Sequence, residues 1–556
     1  MTQVISNMMT GQPGQTVQPI IILKENVERR LGHEAERSNM MAAKAIAGAV
    51  RTTLGPRGMD KMLVSSTGDV VITNDGAAIL HELSIQHPGG KMVVEVAETQ
   101  DDMVGDGTTT ACILVGALME GADQMITQGI HPTVIAAGYR MAMMKALELV
   151  KDLAITVLPE DRETLMKIAD TAMTGKSIDS VKGKVSGLVV DAVKAVAETV
   201  DGKITVDEDD VMIKKHVGES MDDIELIHGI VIEKQRVEDQ MPRTIKDARI
   251  ALIASPLEIV KTQVKSKIKI TTPDKMMAFD MQERDKLKAM ADSIINAGAN
   301  VVLCQKGIAD PVQYYLAKGG ILAVEDVKEK DMKYAARAVN GTIVNKPEDL
   351  TSKDLGRAEM AEEVEDAELV KISGCINPKS VTILLRGSTQ VLIDELERAV
   401  YDGIRVVMDA LEDGKYVVGG GAVETELLLK LREYATSVGG RIQIPIEAFA
   451  NVFEAIPRTL AENSGFNPID KLVDLKTAHA KGKKNAGLNV YNGEVVDMFE
   501  QGVFEPLRVK TQAIQSATEA ANMLVRVDDM MVSKKPTELP RAPPRPGMPP
   551  MGYPMG

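Results

Sequence analysis

The sequence predicts an α+β multidomain fold, mostly helical at both ends and α/β in the middle. Three observations carry this. The first 150 residues and the last 120 before the C-terminal tail share long helical patterns rich in Ala, Met and Leu, such as NVERRLGHEAERSNMMAAKAIAGAVRTTL and PIEAFANVFEAIPRTLAENS. Between them, short β-rich runs at 227–234, 248–255, 300–304 and 380–385 are separated by helices. At 556 residues the chain exceeds one compact core and implies roughly three or four domains. This texture fits an α/β insertion into a helical shell whose two ends fold together. It fits three domains in series equally well.

The ends read differently. From residue 534 the sequence KKPTELPRAPPRPGMPPMGYPMG is rich in Pro, Gly and Met without apolar periodicity, the mark of a disordered tail. The first fifteen or so residues are equally loose. Apolar content of 44% supplies ample core, but aromatics are only 3% and Met numbers 33, so packing relies on aliphatic and thioether side chains. A net charge of −15 excludes a general nucleic-acid binder, which needs a basic surface. Cys112, Cys304 and Cys375 lie far apart without metal-ligand spacing and read as reduced, buried thiols. The N-terminus lacks signal-peptide features, and no apolar run approaches the roughly 20 residues that span a bilayer. A soluble, cytoplasmic protein with no membrane partner is expected.

The most informative stretch is VGDGTTTACILVGALM, 104–119. A helix start carries unpaired N–H groups and the positive end of the dipole. Gly107 lets a ligand approach, and Thr108, Thr109 and Thr110 add hydroxyls, so the pattern answers to phosphate. Asp106 is placed to carry the Mg²⁺ that accompanies nucleotide phosphates. A plain N-cap explains one hydroxyl but not three after Gly-Asp-Gly.

Weaker signals surround it. TTLGPRGMDKML, 52–63, ends a helix at a Gly-Pro turn, in itself an ordinary stop signal. TGDVVITNDGAAIL reads as a strand over 70–73, a turn at Asn74-Asp75-Gly76 and a helix start, a junction that can present a carboxylate. MTGKS, 173–177, imitates the end of a P-loop, but Asp170 stands where the first Gly belongs and no strong strand precedes it; Lys176 is kept as a phosphate contact. Asp402 lies between Arg398 and Arg405 at helical spacing, where a surface ion pair is the plain reading. Gly419, Gly420 and Gly421 cost backbone entropy and imply a close approach to the chain. Near the middle, VKSKIKI, 264–270, alternates Lys with apolar residues, and Met276, Met277, Phe279 and Met281 follow. That stripe fits either core or an adaptable surface for varied partners.

Taken together, TTLGPRGMDKML, ITNDGAAIL, GDGTTT, GIHPTVIAAGYR, IASPLEIVKT, ANVVLCQKGIAD, AVYDGIRVVMDALEDGKYVVGGGAVE and VVDMFEQGVFEPLRVK, in that order and spacing, resemble the group II chaperonins, and within them the archaeal thermosomes. The resemblance covers about 19–529. It implies an equatorial ATP-binding domain at 19–159 and 420–533, and an intermediate domain at 160–229 and 379–419. The remaining 230–378 would be an apical domain with a helical lid, with flexible tails at 1–18 and 534–556. It further implies two stacked rings of about eight or nine identical or paralogous subunits, enclosing unfolded clients at the expense of ATP.

Residue roles follow from the same resemblance. Thr53, Leu54, Gly55, Pro56, Gly76 and Gly107 to Thr110 match phosphate-side contacts, and Asp106 matches the Mg²⁺ ligand. Asp402 matches the carboxylate that activates the attacking water, Asp75 a second carboxylate by the γ-phosphate, and Lys176 its sensor. Gly420, Gly487, Leu488, Asn489 and Glu505 match nucleoside-side contacts. Leu257, Val264, Ile268, Met276, Met277, Phe279 and Met281 fall in the lid or client-binding segment. The implied cofactors are ATP and Mg²⁺, with K⁺ as a candidate additional ion. Val418 departs from the Pro common before the triple glycine, and the tail from the usual Gly-Gly-Met repeats. The competing expectation is a nucleotide-regulated ring or filament scaffold without folding activity; a small-molecule kinase would need a second pocket that the sequence does not suggest.

Overall fold

The computed structural model describes residues 27–64, 68, 70–176, 181–218, 220–259, 273–364, 368–376 and 378–533. Both tails lie outside these residues. The strands Val27–Leu31 and Asp529–Ser533 pair antiparallel, with Val27 opposite Ser533, so the two ends of the described chain are joined.

Beyond that ribbon the largest core is helical. The helix Thr108–Thr127 carries no charged residue until Glu120 and is buried through Thr108, Thr109, Cys112, Val115, Leu118 and Met119. An all-round apolar helix belongs at the centre of a bundle. It is ringed by His33–Arg51, Pro88–Val104, Gln443–Val452 and, from the far end of the chain, Leu507–Val525. Small residues set the closest approach: a methyl added to Gly116 would lie 2.5 Å from the Ala47 Cβ. Helix starts are fixed by side chains. His87 and His131 each accept a backbone N–H ahead of a proline in the first turn, and Asp75 caps Gly76–Glu82 through the amides of Ala77 and Ala78.

A second core joins the helices Arg162–Met173, Lys182–Val196 and Gln390–Asp413 to a three-stranded sheet. In that sheet Val381–Gly387 runs parallel to Val211–Val217 and antiparallel to Glu225–Ile227. The β-rich run at 380–385 therefore forms a strand as expected but leaves the middle sheet. The run at 227–234 is divided as well, since Glu225–Ile227 and Ile230–Ile232 enter different sheets. Gly229 makes the break. Its φ of 154° and the Ile372 carbonyl, 2.0 Å from where a Cβ would sit, leave no space for a side chain.

The middle of the chain builds a seven-stranded mixed sheet. Its order is Leu322–Val324, Val301–Cys304, Thr244–Ile253, Gly356–Val364, Leu369–Ser373, Ile230–Ile232, with Ile343–Val344 also pairing Thr244–Ile253. Alternation along the central strand feeds two cores: Ile250 and Leu252 pack into one, Ala251 and Ile253 into the other. The helix Pro273–Ala297 packs through Leu287, Ala291 and Ile294 at its later turns, whereas Met277 and Met281, nearer its start, are 70% and 68% exposed. A buried ion pair, Lys214 to Asp331 at 3.3 Å, ties the second unit to this sheet domain.

Candidate nucleotide site

A cavity of about 580 Å³ opens where the helical core faces the second unit. Its floor is the start of Thr108–Thr127. Gly107, at φ 79°, is the N-cap and has no side chain to satisfy the first amides. The Thr108 and Thr109 hydroxyls close on Gly76 so tightly that a Cβ there would lie 2.7 Å from the Thr109 oxygen. Thr53, Leu54, Gly55, Pro56 and Thr110 complete this wall. The Thr53 hydroxyl is itself spent on the Val50 carbonyl at 2.8 Å.

Among the charged groups of the cavity, Asp75, Asp106, Asp402 and Lys176 cluster beside this helix start. The Thr108 hydroxyl donates to Asp75 Oδ1 at 3.1 Å, and the Gly107 amide donates to Asp106 Oδ1 at 2.6 Å. Burial pushes the Asp106 carboxyl above its usual range, against the pull of Lys176. Lys176 Nζ donates directly to Asp402 Oδ2. Burial drives Asp402 well above the usual carboxylate range, opposed by Lys176 and reinforced by Asp75 and Asp106. For Lys176, burial works against the charge, but Asp402 and Asp75 outweigh it and hold the ammonium above its ordinary value. The helix-surface ion pair that is the plain reading of Asp402 does not form. Arg398 instead bonds Glu395 at 2.7 Å and Arg405 bonds Glu208, because both guanidiniums leave the face of the helix that Asp402 presents to the cavity.

Lys176 follows the helix Arg162–Met173, not a strand, and is placed by Gly175, whose carbonyl accepts from Asn74 Nδ2 at 2.6 Å. At φ 87° Gly175 stands where a Cβ would meet the Gly55 carbonyl at 3.1 Å. The Gly-Pro turn of one unit thus butts against the lysine loop of the other.

The opposite wall comes from late in the chain. Gly420 and Gly421 have φ of 66° and 82°, which glycine alone adopts readily, and Gly421 starts the helix Ala422–Val438. Leu488 donates to the Gly420 carbonyl at 3.0 Å, which brings Leu488 and Asn489 to the cavity. Gly487 does not line it; the site for its Cβ is taken by Met498 and the Gly420 carbonyl, so it packs behind the wall. Glu505 does line it, 2.7 Å from Lys510 Nζ, which also holds buried Glu424 at 2.7 Å. Burial raises the Glu505 carboxyl, opposed by Lys510.

A model of the TCP-1/cpn60 chaperonin family matches residues 46–535. The chain belongs to that family. It is 53% identical over 519 residues to a thermosome subunit beta from Archaeoglobus fulgidus, covering 93% of this chain and 95% of that one. A thermosome subunit alpha from Thermoplasma acidophilum is 51% identical over 532 residues, 95% and 96% of the two chains. Among solved structures, the open-state monomer of a group II chaperonin from Methanococcoides burtonii superposes with a TM-score of 0.58 at 44% identity, covering 76% of this chain and all of the other.

The lid-segment expectations divide. Leu257 is corrected: it is fully buried, bridged to Ile308 and bonded to the Gly307 carbonyl, so it is core rather than client surface. Val264 and Ile268, and the side chains of Met276 and Phe279, lie outside the described residues. Sequence reasoning missed Asn74, Lys510 and Met498. Lys510 was within reach, since a lysine five positions after a buried glutamate near a helix start is a natural partner for it.

Proposed function

We propose that this chaperonin chain hydrolyses ATP in the cavity and uses the reaction to enclose and release unfolded proteins. The observation that carries the reading is the meeting of Lys176 and Asp402, from the second unit, with the phosphate cradle of the helical unit in one cavity. In this reading the helical unit, 19–159 with 420–533, is the equatorial domain. Residues 160–229 and 379–419 form the intermediate domain, and 230–378 the apical domain with its lid.

The donor set fits Mg²⁺. Asp106 and the threonine hydroxyls of the same cavity are hard oxygen donors of the kind Mg²⁺ takes. Mg²⁺ held by Asp106 would neutralise phosphate charge. The Thr108–Thr110 helix start binds the phosphate chain, and Gly420, Leu488, Asn489 and Glu505 border the nucleoside. Asp402 accepts the proton of a water whose oxygen bonds to the γ-phosphorus as the bond to the β-phosphate oxygen breaks. Asp75 orients that water, and Lys176 exchanges Asp402 for the γ-phosphate. Because Lys176 and Asp402 sit on the hinge domain, seating them rotates that domain, and the apical domain follows. Two stacked rings of about eight or nine subunits would form the chamber.

Purified protein with Mg-ATP should run as a megadalton-class particle, release phosphate and rescue a denatured client. Asp402→Ala should lower turnover by roughly 100-fold or more while ATP still binds. Parental turnover in that variant would refute the site, and hydrolysis without client rescue would indicate a scaffold instead.

A further inference from the structure

A second cavity, of about 590 Å³, lies on the other side of the reacting carboxylates, and Asp75 and Asp402 line both cavities. The helices Gly76–Glu82, Pro88–Val104 and Gln390–Asp413 wall it. Its acidic groups besides the shared pair are Glu98, Asp101, Asp102 and Glu397, against Arg398 and His81. So negative a passage repels phosphate but admits water and carries protons.

From this shared wall we infer that the second cavity is the water inlet and proton outlet of the ATPase, with Asp101 relaying the proton that Asp402 takes from the attacking water. The inference rests on the hydrolytic reading above. Each turnover leaves a proton on Asp402, and Asp402 cannot act again until it is lost. Without nucleotide its Oδ2 is held by Lys176; with ATP bound and Lys176 exchanged to the γ-phosphate, the phosphates would cover that side. The rear cavity gives the carboxyl a second face that water can reach. The proton passes from the Asp402 carboxyl through water to the Asp101 carboxylate and on to bulk; no other bond changes.

Asp101 is half-buried, as is Glu397, whereas Glu98 and Asp102 are exposed. Burial first, then Asp75 and Asp102, push its carboxyl up to about 6, with Arg405 and Lys176 opposing. Glu98 and Asp102 face it from its own helix, His81 and the Asp75 cap from the second, and Glu397, Arg398, Tyr401, Asp402 and Arg405 from the third. At neutral pH Asp101 therefore stands empty yet accepts a proton readily. It acts through Asp402 and does not line the nucleotide cavity.

The test uses the assembled full-length protein and steady-state ATP hydrolysis from pH 5 to 9. Asp101→Asn should lower kcat several-fold, leave KM for ATP unchanged and remove the low-pH limb near pH 6 that Asp101 is expected to give the parent's kcat profile. Asp101→Glu should restore both rate and profile. Ala78→Leu, which narrows the second cavity beside Asp75 without altering charge, should lower kcat with KM unchanged. Parental kcat and pH profile in both Asp101→Asn and Ala78→Leu, while Asp402→Ala is inactive, would overturn the conduit and leave the active site standing. Parental hydrolysis in Asp402→Ala would overturn both.

Discussion

Replacing Lys510 by Met tests how the nucleotide site is anchored to the helical core. Lys510 is 6% exposed and bridges Glu424, itself 3% exposed, to Glu505, each at 2.7 Å. It thereby pins the helix Leu507–Val525 to the helix Ala422–Val438 and to the strand Phe504–Pro506. Met preserves the volume of the stem and removes the charge, leaving two carboxyls buried without their cation. Breaking a buried pair in this way costs about 3–5 kcal/mol. For a unit of this size each kcal/mol moves the melting midpoint by roughly 2–4 °C, so the variant should melt about 6–20 °C lower. The sign of the pH dependence follows from Glu505. Its folded-state pKa is raised, so its contribution to stability is fully present below the unfolded value and is lost as pH rises through the folded one. Without Lys510 that rise is steeper, so the deficit should be largest at neutral pH and shrink on acidification toward pH 4.5. Calorimetry at pH 5 and pH 8 measures both. A melting point within about 2 °C of the parent at pH 8, equivalent to less than about 1 kcal/mol, would refute the assignment of Lys510 as an obligatory counter-charge.

Other perturbations probe other levels. Gly76→Ala places a methyl 2.7 Å from the Thr109 hydroxyl oxygen and 3.0 Å from the Thr109 amide nitrogen, and should weaken ATP binding by calorimetric titration with a loss of about 1–3 kcal/mol in stability. Asp409 lies between domains; burial, partly offset by Arg508, holds its carboxyl at about 7, far above 3.8. The raised pKa means stability present below 3.8 and lost as pH climbs through about 7, so Asp409→Asn should melt higher than the parent at pH 8 and lose that advantage by pH 4. Met277→Ser with Met281→Ser alters two exposed side chains one helical turn apart; it should cut capture of an unfolded client while the melting point stays put.

Much of this site was legible because its signals are local. The 70–73 strand, the turn to Asp75 and the Gly-Asp-Gly-Thr-Thr-Thr helix start each depend on neighbours a few residues away, and each forms at its expected place. Asp402 shows the limit. Helical spacing offered two arginines, but its partner is Lys176, 226 positions distant. Leu257 was misjudged because a short apolar segment reads alike whether it covers a sheet or faces solvent. The 380–385 strand was found from its β-branched residues, yet no property of a single strand specifies which of two sheets it joins.

The pairing of the chain ends has a consequence during synthesis. The Gln100 side chain donates to the Val509 carbonyl, 409 positions later, and the central helix Thr108–Thr127 packs on Leu507–Val525. At about 5–20 residues per second, a ribosome takes roughly 20–80 s to make the partner that the early helices await. The sheet domain, complete by residue 376, can fold during that interval. The apolar helices made first cannot be fully covered, so the nascent chain carries an unfinished core until its last helix emerges.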